Sequence, residues 1–167
     1  FDYIYVSTNC DYIKLYKNDQ YVGTFYPHFV EPFPYLKHPP ILVDDIVGMT
    51  FQEDKFPKKS WPKIARMFSY AAMHGFNHLP LKNKLYLGYM MMRYKISYTD
   101  LVGYWNKYVG AWGGKAKTYK FVGYKDGNKV KEVELGPSDE FDLEVVPNKT
   151  ILENKEIFKD KIVLDIG

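Results

Sequence analysis

"YVSTNCDYIKLYKNDQYVGTFYP", Tyr5 to Pro27, alternates apolar and polar residues on either side of two short polar breaks and ends on a proline. Ile4 and Val6 alternate with Tyr3 and Tyr5, and Ile13 and Leu15 alternate with Tyr12, Lys14 and Tyr16. Successive side chains on a strand point to opposite faces, so a period of two reads as three half-buried strands. Asn9-Cys10-Asp11 and Asn18-Asp19 are the expected turns, because Asn and Asp tolerate left-handed backbone and bond to their own main chain. Gly23 is expected to mark a bulge or a close backbone approach.

The period then changes twice. Five prolines between Pro27 and Pro40 remove backbone donors and favour extended geometry, which makes this segment a connector. Beyond it the apolar spacing becomes helical. Ser60 stands where a cap belongs, with Pro62 in the first turn, and Ile64, Met67, Phe68, Ala71 and Ala72 share a face until Gly75. Pro80 opens a second helix in which Leu81, Leu85, Tyr89 and Met92 form a stripe. Ser97 and Asp100 have capping-box spacing, followed by Leu101, Trp105 and Tyr108 before Gly110. After Trp112-Gly113-Gly114 the alternation returns in "KTYKFVGYKDGNKVKEVELG", Lys117 to Gly136, with Tyr119, Phe121 and Gly123 on one face and a hairpin turn at Asp126-Gly127. "EFDLEVVP" and "KIVLDI" read as two further strands. Neither outer portion has enough strands to stand alone, so the expected fold is α+β: one antiparallel sheet domain, residues 1–26 and 115–167, interrupted by a small helical bundle, residues 27–114.

Two outer stretches resemble a known family. Val6, Thr8, Asn9, Asp11, Ile13, Leu15, Asn18 and Gly23 match the strand-and-turn signature of the immunoglobulin-like sandwich that follows the catalytic barrel in family 2 glycoside hydrolases of the β-galactosidase type. "YKFVGYKDGNKVKEVEL", Tyr119 to Leu135, resembles a later strand and hairpin of the same domain, and "EFDLEVVPNKTIL", Glu140 to Leu152, the strand and loop after it. Asp19 stands where the family has glycine, and the common domain lacks an insertion between Pro27 and Gly114. The resemblance implies an immunoglobulin-like β-sandwich with an inserted helical bundle, acting as a non-catalytic accessory piece beside a barrel that carries the two catalytic glutamates. A chain that starts on a strand without an initiator methionine and ends at Gly167 is then expected to be cut from a longer enzyme.

The residues themselves offer little chemistry. A net charge of +3 over 167 residues, with no contiguous basic block, argues against nucleic acid. One cysteine, Cys10, excludes an internal disulfide and a zinc site built on two cysteines. No apolar run is long enough for a membrane span, no cofactor-binding motif occurs, and the compartment and oligomeric state are left open. Asp44 and Asp45 are adjacent and so point apart, which favours a capping role over a shared acid/base site. His74 and His78 have the i, i+4 spacing of a helical zinc pair, but Gly75 between them should end the helix; His28 and His38 lie alone among prolines. Tyr 16, Phe 11 and Trp 3 are many for this length, which raises sugar stacking as the alternative function, that of a carbohydrate-binding module. Its expected residues are Trp112, Trp61 and Tyr119; Trp105 is assigned to the core, and Trp112 also fits an anchor between bundle and sandwich. A third alternative is docking or dimerisation through "YLGYMMMRY", Tyr86 to Tyr94, which is apolar around much of its circumference.

Overall fold

Seven strands and three helices follow one another in the computed structural model, which describes residues 4–27, 36, 38–110, 117–136 and 162–165. The strands are β1 (Ile4–Ser7), β2 (Tyr12–Lys17), β3 (Gln20–Phe25), β4 (Ile41–Val43), β5 (Tyr119–Lys125), β6 (Asn128–Leu135) and β7 (Ile162–Asp165). The helices are α1 (Trp61–His74), α2 (Leu81–Tyr94) and α3 (Tyr98–Tyr108). The mixed α+β class, with helices between two blocks of strands, is as expected. The expected strand "EFDLEVVP" lies outside the described residues.

The strands form two sheets. β3-β2-β5-β6 is wholly antiparallel, and β4-β1-β7 pairs β1 antiparallel with β4 and parallel with β7. Both ends of the chain therefore contribute to each sheet. Val6, Ile41 and Val43 of one sheet and Ile13, Leu15, Val22 and Phe121 of the other join in a single buried cluster. The hairpin turns fall where the residue types place them, with Asn18 and Asp19 at φ 46° and 61° and Asp126 and Gly127 at 50° and 75°. The register between β2 and β3 slips after Leu15↔Gly23, leaving Val22 as the extra residue of a bulge beside the glycine.

Three local expectations need correction. β1 and β2 belong to different sheets, so the Asn9–Asp11 turn carries the chain across the core and does not close a hairpin. β4 lies inside the segment expected to be helical insertion; three residues are too few to display a period, and only pairing with β1 reveals the strand. Ser60 does not cap α1: its hydroxyl donates to Pro57 O at 2.7 Å, because a short 3-10 turn runs straight into the helix. Gly75, at φ 85°, ends α1 as expected, and Ser97 and Asp100 make the full capping box of α3.

The helices pack around a second cluster built from Phe51, Phe56, Ile64, Phe68, Leu87, Met90 and their neighbours. Ile46 touches both clusters and joins them. Next to it, Gly48 has φ +44°, and a Cβ there would lie 2.3 Å from the carbonyl oxygen of Val22. The left-handed backbone and this contact both demand glycine. Gly48→Ala is expected to cost at least about 2 kcal/mol, read as a lowered midpoint in thermal or urea denaturation. An unchanged midpoint would mean that the loop need not approach β3 this closely.

Candidate functional site

Of the side chains expected to stack on sugar, Trp61 and Tyr119 pack against different clusters. Trp112 lies outside the described residues. Trp61 is half-buried against the helical cluster, its indole N–H shared between the carbonyls of Glu53 at 3.0 Å and Phe56 at 3.2 Å. Tyr119 packs on the other cluster, where burial pushes its phenol pKa up. Trp105, assigned to the core, lies against the helical cluster beside Phe68 and Phe76.

Tyrosines line the outer face of the four-stranded sheet instead. Tyr12 stacks on its cross-strand partner Tyr124 with centroids 5.0 Å apart, Tyr26 tilts against Tyr12 at 5.7 Å, and the Lys14 ammonium lies 4.7 Å from the Tyr124 centroid. These rings spend their π faces on one another and on a cation, which stabilises strand pairing and leaves little flat surface for a pyranose. Of these three rings, Tyr12 and Tyr124 are half-buried and Tyr26 is 63% exposed.

The acidic and histidine candidates resolve into structural parts. Asp45 Oδ1 accepts hydrogen bonds from Val47 N, Gly48 N and Ser69 Oγ, so it holds the loop that enters the helical segment. Asp44 is exposed and makes none of these bonds. His74 closes α1 and packs on Tyr70, while His78 falls in the next short turn, so the helix does not bring the two imidazoles to one face. Among the described residues no group of three His, Cys, Asp or Glu side chains is placed to hold a metal ion, and no helix is long and apolar enough to cross a membrane.

Among the described residues, the largest group of exposed apolar side chains lies on one face of α2. Leu81, Leu85, Tyr89 and Met92 are 71%, 66%, 60% and 85% exposed, and Gly88 in the same band has nothing near its Cβ position. The stripe marked out by the spacing thus faces outward. The reason lies in the helix itself: Tyr86, Leu87, Met90, Met91 and Tyr94 form a competing series at i, i+1, i+4, i+5, i+8, and this is the series that enters the core. An exposed three-turn apolar band of this kind is suited to covering by another surface.

A buried cation ties the Ile46 loop and α3 to the four-stranded sheet. β2 points Ile13, Leu15 and Lys17 inward, and the Lys17 ammonium donates to Ile46 O at 3.1 Å and to Tyr108 O at the end of α3. Lys17 is 5% exposed. Burial, assisted by the Lys117 charge and opposed by Asp45, pulls its pKa down to about 8. Parity along β2 implies this inward placement, yet a lone lysine at a strand end reads as surface. Nearby, Glu53 Oε1 accepts from Tyr108 Oη at 2.7 Å and from Lys107 Nζ at 2.8 Å, fastening α3 to the preceding loop and raising the Lys107 pKa.

Among the described residues, fold and surface together define an α+β arrangement of two sheets and three helices, the second helix showing an apolar face. No protein-family model, no curated protein and no solved structure matches the chain.

Proposed function

We propose that the chain is a non-catalytic accessory region of a family 2 glycoside hydrolase of the β-galactosidase type, an immunoglobulin-like sandwich with an inserted helical bundle, and that the exposed face of α2 docks against the catalytic barrel or a neighbouring domain of the parent enzyme. One observation carries the reading: the two separated blocks that resemble this family meet in the same sheet. β2 pairs with β5 from Tyr12↔Tyr124 to Lys17↔Tyr119. The polar positions of the early signature tie them further, with Asp126 N donating to Asp11 Oδ2 at 2.7 Å and Thr118 N to Asn18 Oδ1 at 3.0 Å. Signature residues of this kind are explained by closing such a sheet, whereas an unrelated pair of hairpins has no need of them.

The test is the surrounding reading frame: a (β/α)8 barrel with paired glutamates is expected upstream, and a frame without one overturns the parentage. The chain alone is expected to release no chromophore from a nitrophenyl galactoside. Turnover abolished by changing Asp44 or Asp45 would overturn the non-catalytic assignment. The exposed α2 band also favours a second reading, self-association, which light scattering distinguishes: Leu85→Glu would then convert a dimer to a monomer, while under the docking reading the chain is monomeric with either residue.

A further inference from the structure

Charge is distributed unevenly along this chain in a way that its net value conceals. Between Asp54 and Asp100 there are nine lysines and arginines, Lys55, Lys58, Lys59, Lys63, Arg66, Lys82, Lys84, Arg93 and Lys95, and no aspartate or glutamate. Three of these cations converge. Lys63 and Arg66 of α1 and Lys82 of α2, with Asn83, Tyr70 and the exposed Asp44, line a cleft of about 330 Å³. The Lys63 ammonium lies over the Tyr86 ring, 3.5 Å from its centroid, which tethers it between the two helices. Four lysines elsewhere do have carboxylate partners: Lys55 with Asp100, Lys107 with Glu53, Lys120 with Asp19 and Lys129 with Glu132. Among the described residues Lys63, Arg66 and Lys82 have no such carboxylate partner.

We infer that this cleft binds a small sugar carrying an oxyanion, such as a phosphate, sulfate or carboxylate group. Three cations against one carboxylate leave the lining with a net charge near that needed to neutralise a dianion, and a guanidinium beside two ammonium groups matches the oxygens of such a group. Asp44 sets the rest of the ligand. A carboxylate repels a bare anion, but it accepts hydrogen bonds from hydroxyls, and Asn83 can donate or accept beside it. The ring of Tyr70, half-buried, gives the sugar an apolar surface. The volume is at the lower end of small-molecule sites, the size of a mono- or disaccharide. The inference does not depend on the parentage proposed above, because its readout is binding to this chain.

Calorimetric titration of the folded chain tests it, using glucose 6-phosphate and glucuronate as ligands, with glucose and inorganic phosphate as controls. Saturable binding of at least one anionic sugar is expected, weakening as salt is raised. Arg66→Gln and Lys82→Gln should each weaken it roughly tenfold or more. Both positions are exposed, and circular dichroism verifies that each variant keeps its fold. Glucose should not bind, and Asp44→Asn should narrow the preference for the sugar over inorganic phosphate. No saturable binding at millimolar ligand, or binding unchanged in both cation variants, overturns the site. Inorganic phosphate binding as tightly as both sugars overturns the assignment of a sugar.

Discussion

Phe51→Ala is expected to lower the free energy of unfolding by about 3–5 kcal/mol. Phe51 is 1% exposed, and its ring lies 4.9 Å from that of Tyr108, 5.6 Å from Phe68, 5.8 Å from Phe56 and 6.5 Å from Tyr104. It thereby links the loop after Gly48 to α1 and α3. Truncation removes the buried ring and leaves a cavity that four other aromatics, each held by its own packing, close only in part. The loss is a large share of what a domain of this size has in reserve. Urea denaturation reads it as a lower midpoint with a similar slope. Met92→Ala, at an 85% exposed position, is the control and should change stability by less than about 0.5 kcal/mol. A similar small change for Phe51→Ala would show that the helices do not pack around it.

The second large effect is pH-dependent. Lys17 has a folded pKa of about 8 against a usual 10.5. Below pH 8 it is charged in both states, and the folded protein bears the full cost of the buried charge. Between pH 8 and 10.5 the unfolded chain binds more protons than the folded one, so stability rises with pH. Across that window the gain attributable to Lys17 approaches roughly 3 kcal/mol. The tyrosines work in the opposite sense: burial raises the pKa values of Tyr104, Tyr108 and Tyr119, so their contribution falls as the unfolded phenols ionise. Subtracting the curve of Lys17→Met isolates the lysine. The wild type is expected to gain on the variant as pH rises from about 7.5 to 10, and parallel curves would mean that Lys17 is not held as a buried cation.

This lysine also shows why part of the structure was hard to read from the chain. The signals that were legible are local ones. Asn18-Asp19 and Asp126-Gly127 adopt left-handed turns because those residue types tolerate them, Gly75 ends α1 for the same reason, and Ser97 with Asp100 closes a capping box within one turn. Asp100 is held at a pKa of about 2 by hydrogen bonds from Lys55 and from Ser97 in that box. The alternation of β2 carries Ile13 and Leu15 inward, and with them Lys17, but whether an inward lysine meets solvent or carbonyl oxygens depends on what lies across the core. Here it meets Ile46 and Tyr108, 29 and 91 residues along the chain.

The candidate site was less legible. The absence of acids between residues 55 and 99 is written in the sequence, yet a single cleft arises only when α1 and α2 bring Lys63, Arg66 and Lys82 together. Trp61, offered for stacking by its type, has its indole N–H engaged by two backbone carbonyls that belong to the preceding loop.

By itself, then, the amino-acid order determined the α+β class, the positions of most turns and helix ends, and the return of the chain to strands after the helices, because each of these follows from period and short-range backbone preference. Tertiary structure alone decided the remainder: the division of β1 and β2 between two sheets, the recruitment of Ile41–Val43 as a strand, and the side of α2 that faces outward. α2 carries two apolar series of similar strength, and a period describes a helix without saying which of two competing faces finds the better partner. That choice is made by packing against Phe68, Ile64 and their neighbours, and it leaves Leu81, Leu85, Tyr89 and Met92 in solvent.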